Sequence, residues 1–313
     1  MLMKSYADNL SYITNKVKNL PRKLKREIYR IPPIQASKDQ AYQKALNNHA
    51  RLLPELDAQS TSIVQTLREE GTCIIPIEQL QLSATNAMME TAFALAEKLK
   101  AIDVKPNDSN GCEVGSSPED LREFSEILLW ALEPKLLDIV ENYIGLPILY
   151  QGFAMRKSVA DGQYSGVRRW HIDWEDRRII KMIVYLNDVV AGGGPYDYIS
   201  RNITQQAKEK LNYHNLGYVS DAEMAIAVPK SEWTSCFANA RSIVISDTSS
   251  VFHRAQPPTE HERFSITFCY TSAMPLVAWR NRKITPQQWE VIDRNTNQRQ
   301  KNCLHKKRLA EFT

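Results

Sequence analysis

Residues 169–176 read Arg169-Trp170-His171-Ile172-Asp173-Trp174-Glu175-Asp176. On an extended backbone side chains alternate, so His171 and Asp173 point to one side and set an imidazole beside a carboxylate. Two such groups are two ligands for one metal ion. A third has to come from elsewhere, and His253, in Val251-Phe252-His253-Arg254, is the best-placed candidate. Two imidazoles and one carboxylate on one face of an octahedral ion leave three positions open, which suits non-haem Fe(II) and O2. Alone, a His-x-Asp pair is equally well a solvated histidine near a carboxylate. The rest of the chain decides between the two.

Ten residues beyond His253 the chain reads Arg263-Phe264-Ser265-Ile266-Thr267-Phe268-Cys269-Tyr270. On a strand, Arg263, Ser265, Thr267 and Cys269 share one face, and the aromatic residues with Ile266 share the other. An arginine on an inward, small and polar face needs an anionic partner. Its planar fork matches a carboxylate, and a neighbouring hydroxyl such as Ser265 adds a hydrogen bond. A purely structural ion pair is the alternative reading of Arg263. Between the two ends lie a β-rich run from Ile179 to Asp188 and Gly192-Gly193-Gly194-Pro195-Tyr196-Asp197-Tyr198-Ile199, a tight turn into a short aromatic strand. No Gly-Lys-Ser/Thr follows these glycines, so they are a strand turn and not a phosphate loop.

In this order the pieces Trp170-His-Ile-Asp173, Tyr185-Leu-Asn-Asp-Val189, Gly193-Gly-Pro-Tyr-Asp-Tyr-Ile199, Asp247-Thr-Ser-Ser-Val-Phe-His-Arg254 and Arg263-Phe-Ser265 resemble the phytanoyl-CoA dioxygenase-like family of Fe(II)/2-oxoglutarate-dependent oxygenases. The likeness covers about residues 62–278 and includes the gap of 80 residues from Asp173 to His253. It implies that His171, Asp173 and His253 hold Fe(II). It implies also that 2-oxoglutarate chelates the metal while its distal carboxylate reaches Arg263, helped by Ser265. With O2 the expected outcome is hydroxylation of an unactivated C–H of a small-molecule, acyl or natural-product substrate, releasing succinate and CO2. Related halogenases carry Gly or Ala at the Asp173 position, so a hydroxylase, desaturase or cyclase is expected and not a halogenase, with the hydroxylase type preferred. Lys181, Tyr185 and either Arg156 or Lys157 are further candidates for contact with the oxo acid or the substrate; a solvent-exposed side chain is the plain alternative for each. No glutamine or asparagine can be placed as a second oxo-acid contact.

From Pro147 onward short β-runs alternate with Gly, Pro and Asp turns. Strands are expected at 148–158, 167–173, 179–187, 195–199, 243–247 and 263–271. Together with amphipathic helices upstream, this predicts an α+β fold with a mainly β core, a sandwich or double-sheet jelly roll with helices over one sheet. The resemblance narrows it to a cupin-like double-stranded β-helix. Three regions are expected: a basic, helical N-terminal extension over 1–60, an oxygenase domain over 61–278, and a C-terminal helix with a basic tail over 279–313. Within the domain, 200–233 is a long, partly helical excursion, expected to form a lid over the metal mouth.

In the extension Leu10, Ile13, Val17, Leu20, Leu24 and Ile28 recur every three or four residues among lysines and arginines, interrupted by Pro21. A helix packed on the domain is preferred to one lying on a membrane surface. Ser37-x-x-Gln40 is read as a capping box opening a helix to about Leu53. Further helices are expected at 60–70, 84–101, 117–132 (opened by Ser117-Pro118) and 135–144. Net charge is +4, unevenly spread: residues 1–30 hold eight basic and two acidic residues, and 280–313 hold nine and three. An acidic body with basic ends is not a nucleic-acid groove. Five scattered cysteines without a Cys-x-x-Cys pair, and no signal-like apolar start, lead to the expectation of reduced thiols and a cytoplasmic setting. The competing class is a non-catalytic metal- or ligand-binding jelly roll whose basic arm recruits a partner.

Overall fold

The computed structural model describes residues 22–102, 113–115, 125–214, 217–277, 284 and 286–304. Most of the N-terminal basic stripe, the loop after residue 102, the expected helix start at Ser117-Pro118 and the last nine residues lie outside the described residues. The chain divides into two compact units, Met1–Leu52 and Leu53–Thr313.

In the first unit, helix α1 is Arg22–Tyr29 and α2 is Pro32–His49, followed by a 3-10 turn at Ala50–Leu52. The expected capping box at Ser37 is not used. Pro32 and Pro33 occupy the first positions of α2, where a missing N–H costs nothing, so the helix starts six residues earlier.

The second unit opens with α3, Ala58–Glu69, whose cap is Asp57 accepting from Ser60 N at 2.7 Å. Strand β1 (Thr72–Pro76), α4 (Thr85–Lys100), β2 (Glu113–Gly115), α5 (Ser125–Ala131) and α6 (Pro134–Ile144) follow. Helix α6 has Pro134 at its start and ends on Gly145 at φ 78°, a conformation suited to glycine. The β-region then runs β3 (Ile148–Ser158), β4 (Ile179–Tyr185), β5 (Tyr196–Ile199), α7 (Arg201–Lys210), α8 (Asp221–Ala227), β6 (Trp233–Cys236), β7 (Ser242–Asp247), β8 (His253–Ala255) and β9 (Arg263–Ser272). Helices α9 (Pro286–Asn295) and α10 (Gln298–Asn302) close the described chain.

These strands form two sheets whose described pairings are all antiparallel. The larger has the order β1-β7-β4-β9-β3-β2, the smaller β6-β5-β8. A bridge from His171 to His253 adds the 170–171 segment beside β8. Between β3 and β9 the chain thus passes repeatedly from one sheet to the other. Strand β9 shows the alternation read from its sequence. Phe268 meets Trp130 of α5 at 4.8 Å between ring centroids, and Tyr270 Oη donates to Ala131 O at 2.8 Å. The opposite face, with Arg263, Ser265, Thr267 and Cys269, looks into a cavity. Helices α4, α5 and α6 therefore cover the outer face of the large sheet, burying Met88, Leu95, Trp130, Leu137 and Ile144.

The 200–233 excursion packs on the small sheet. Ala207, Tyr213, Val219, Met224, Ala227 and Val228 pack with Trp170, Ile199 and Phe252 in one apolar cluster against the small sheet. Among the described residues none of the excursion lines the cavity. Its apolar side chains are buried against the sheet. Among the described residues Cys73, Cys236, Cys269 and Cys303 form no disulfide, and no helix is long and apolar enough to cross a membrane.

Candidate metal centre

Backbone pairing brings the two histidines together. His171 N donates to His253 O and His253 N donates to His171 O, both at 3.0 Å, which is the closed two-bond pair of an antiparallel ladder. Side chains opposite each other in such a pair project from the same face. Asp173, two residues on, is fixed by its own N–H donating to Thr248 O at 2.9 Å. The result is His171 Nε2 at 3.9 Å from Asp173 Oδ1 and His253 Nε2 at 3.9 Å from Asp173 Oδ2. One ligand atom from each of the three residues lies within 4.8 Å of the others.

The imidazoles are oriented from behind. His171 Nδ1 lies 2.9 Å from Arg169 O, and His253 Nδ1 lies 3.2 Å from Val251 O. A carbonyl accepts only, so both Nδ1 atoms carry the proton and both Nε2 lone pairs face the centre. Burial holds both histidines below the usual imidazole range, His253 further because His171 stands beside it. Burial pushes the Asp173 carboxyl up, but Lys181 and the two imidazoles outweigh it and hold the group well below the usual carboxylate range. Near neutral pH this is two neutral nitrogen donors and one anionic oxygen, the protonation state a divalent ion requires. Asp173 Oδ2 is buried and is paired with Lys181 Nζ at 2.5 Å. Two imidazole nitrogens and a carboxylate converging within 4.8 Å are a donor set that fits a divalent metal ion.

The centre sits at one end of a cavity of about 350 Å³, lined by His171, His253, Lys181, Ile183, Tyr196 and Ala255 on one side and by the inward row of β9 with Gln151, Phe153 and Arg156 on the other. Strand pairing sets the order along it: Lys181 is opposite Cys269, Ile183 opposite Thr267, Tyr185 opposite Ser265, and Arg263 opposite Ser158. Arg263 is thus at the far end of the row from Lys181. It is 6% exposed and donates to Gly194 O and to Ser158 Oγ, the latter at 3.2 Å. The turn that delivers Gly194 O requires glycine: φ is +67°, and a Cβ there would lie 2.6 Å from Gln256 O.

Of the residues singled out from the sequence, His171, His253, Lys181, Arg263, Ser265 and Arg156 line this one cavity, and Asp173 joins the two histidines. Tyr185, on the same strand as Lys181, is not among the lining residues. Its hydroxyl donates to Cys236 O at 3.1 Å and accepts from Tyr196 N at 3.0 Å, so it is spent on tying β4 to β5 and β6. Arg156 is exposed at the rim, across from Ser265.

Two cavity groups, Tyr196 and Gln151, and the Arg263 partner Ser158 were not read from the sequence. Tyr196 stacks on His253 with ring centroids 5.7 Å apart, and its hydroxyl pairs with Ser246 Oγ at 2.8 Å. Alternation along Tyr196-Asp197-Tyr198 would have placed it inward had the pairing with β8 been known. Ser158 meets Arg263 only through the register of β3 with β9. Gln151 is swung inward by a bulge between Tyr150 and Gly152, where φ is +109°, and donates to Thr271 Oγ1 at 2.6 Å. Tyr218 of the excursion comes to His171 edge-on, 5.4 Å between ring centroids. His214 and His261, both exposed, take no part in the centre.

No model of a known protein family matches the chain, and no curated protein matches it. Among solved structures it is similar to HygX from Streptomyces hygroscopicus, determined with nickel and 2-oxoglutarate bound, at 13% identity and TM-score 0.47 over 70% of this chain and 89% of that one. It is similar also to SnoK, described as a non-heme alpha ketoglutarate dependent carbocyclase from nogalamycin biosynthesis, at 13% identity and TM-score 0.48 over 71% of this chain and 88% of that one. A third is the epimerase SnoN from the same biosynthesis, at 14% identity and TM-score 0.45 over 73% and 88%. At such likeness the reading of the centre rests on its own geometry.

Proposed function

We propose that the chain is an Fe(II)- and 2-oxoglutarate-dependent dioxygenase of the phytanoyl-CoA dioxygenase-like kind, built on a double-stranded β-helix and hydroxylating a small-molecule substrate. The observation that carries this is the convergence of His171 Nε2, His253 Nε2 and an Asp173 oxygen within 4.8 Å, at one end of a cavity whose other end holds the buried guanidinium of Arg263. The passage of successive strands between two antiparallel sheets supports the fold assignment.

His171, Asp173 and His253 would hold the ion and leave three positions open. Bound Fe(II) together with the oxo acid supplies O2 reduction coupled to decarboxylation of 2-oxoglutarate to succinate and CO2. The protein's share is positioning. Arg263 and Ser265 receive the distal carboxylate, and Gly194 O and Ser158 keep the guanidinium aimed. The Nδ1 contacts hold both imidazoles in the donor tautomer. Tyr196 and the buried row of β9 keep water from the inner end. A cavity of about 350 Å³ suits an oxo acid and part of a small molecule, with the remainder of that molecule at the rim beside Arg156.

Purified protein loaded with Fe(II) is expected to release succinate from 2-oxoglutarate, and His171→Ala is expected to abolish this. Arg263→Ala should raise the 2-oxoglutarate requirement by about 30-fold, the loss of one charge-assisted pair of about 2 kcal/mol. Succinate release unchanged in His171→Ala, or none from the wild-type protein, refutes the proposal and leaves a ligand-binding jelly roll in its place.

A further inference from the structure

Lys181 puts a positive charge where a divalent cation would bind. It lies on β4 with its side chain on the cavity face, opposite Cys269 of β9, and its Nζ is 2.5 Å from Asp173 Oδ2. The side chain is 22% exposed, and that of Asp173 is 14% exposed, so bulk water screens the pair little. A lysine with a four-carbon stem ordinarily carries its ammonium to the surface. Here the stem is held between β9 and the metal residues, and the charge stays inside.

The fixed charges can be counted. Two imidazoles, each with its Nδ1 proton on a backbone carbonyl, contribute none. Asp173 contributes one negative charge and Lys181 one positive, so the centre is neutral before any ion arrives. Without Lys181 it would carry one negative charge to attract a cation. A dication entering the neutral centre meets an ammonium that shares its carboxylate. At an effective dielectric near 20, a unit charge about 5 Å from a dication is repelled by about ten times the thermal energy, before the ammonium swings away or water screens it. The same ammonium, with Arg263 further along the cavity, attracts a dianion.

We infer that Lys181 makes the centre a weak site for a divalent cation alone and a strong one for the cation together with a chelating dicarboxylate, so that metal and oxo acid bind as a coupled pair. This rests on the metal-centre reading above and deepens it. Lys181 is then a residue that sets the charge of the site, and its effect is a coupling between two ligands, which is reciprocal. The coupling follows from charge and not from shape, so arginine can replace lysine and an uncharged side chain cannot.

The test is calorimetric titration of the full chain with Ni(II), which avoids O2 chemistry, in the absence and presence of saturating 2-oxoglutarate. Wild type and Lys181→Arg are expected to bind Ni(II) weakly alone and markedly tighter with 2-oxoglutarate. Lys181→Met is expected to bind Ni(II) alone about tenfold tighter or more than wild type, and to gain less from 2-oxoglutarate. Circular dichroism checks each fold, and Lys181→Gln, which keeps a donor for Asp173, carries the same expectation should the Met variant not fold. If the uncharged variants bind Ni(II) alone no tighter than wild type, Lys181 serves only to hold Asp173 in place and the inference is overturned. If they gain as much from 2-oxoglutarate as wild type does, it is equally overturned. Wild-type protein that binds no Ni(II) under either condition is a different result, which removes the metal-centre reading itself.

Discussion

Replacing Gly194 with alanine tests whether the arginine end of the cavity is held by the glycine turn. The residue sits at φ +67°, where a Cβ on an L-residue costs about 1–2 kcal/mol. The added Cβ would also meet Pro258 Cγ at 2.5 Å, Gln256 O at 2.6 Å and Pro258 Cδ at 2.7 Å. One of these is backbone and two belong to a ring with little freedom, so the overlap has to be relieved by shifting the turn, at a further cost of about 1–3 kcal/mol. The total, about 2–5 kcal/mol, is a large part of the roughly 5–15 kcal/mol that holds a domain folded. Moving the turn moves Gly194 O, which accepts from Arg263. Urea denaturation followed by tryptophan fluorescence should therefore show a lower midpoint at unchanged slope. Calorimetry on the variant should show weaker 2-oxoglutarate binding under conditions where it is still folded. A loss of less than about 0.5 kcal/mol, within the range of ordinary surface substitutions, would refute the reasoning about this turn.

Two further outcomes are expected. Asp176 is 3% exposed and accepts from Ser272 N at 2.7 Å, and burial pushes its carboxyl up to about 6. The folded form therefore holds this proton more tightly than the unfolded chain, whose aspartates titrate near about 4. Its contribution to stability is largest below that value and falls as pH rises to about 6, by about 2–3 kcal/mol. Asp176→Asn lacks the effect, so the variant should gain on wild type by that amount in urea titrations between pH 4 and 6.5; parallel curves would count against it. Arg254, 3% exposed, donates to Asp197 Oδ2 at 2.8 Å and pairs with Asp221, while its guanidinium lies 4.5 Å from the Trp170 ring centre. Arg254→Met leaves Asp197 buried without its cation and should cost about 3–5 kcal/mol, most of it recovered in the double variant with Asp197→Asn. A single variant as stable as wild type contradicts the role given to this pair.

What could be read without coordinates was the part written in periodicity. The inward row Arg263, Ser265, Thr267, Cys269 is a ten-residue strand with strict alternation, and the structure points it at the cavity. The core helices from Ala58, Thr85 and Pro134 start within two residues of their expected positions; a cap marks the first and a proline the third, while only its apolar spacing marks the helix from Thr85. Strands β6 and β8, with four and three residues, are too short for a period to show. Yet β8 decides the centre, since it lays His253 against His171. That pairing joins residues 82 apart, and nothing near either histidine encodes it. The surface beneath the 200–233 excursion was hidden for the same reason. Its apolar residues show that it covers something, and only the partner surface at Trp170 and Phe252 says what. The Tyr185 hydroxyl was assigned by face alone. Its face is the inward one, but Cys236 and Tyr196, brought in by a different sheet, had already taken the hydroxyl.

The central claim is that three side chains from two distant parts of the chain bind one ion. Crystals grown with Co(II) and measured at the cobalt absorption edge test it directly. One strong anomalous peak is expected within about 2.0–2.3 Å of His171 Nε2, His253 Nε2 and an Asp173 oxygen. A peak elsewhere in the unit Leu53–Thr313, or none at this position in protein saturated with the metal, would contradict it.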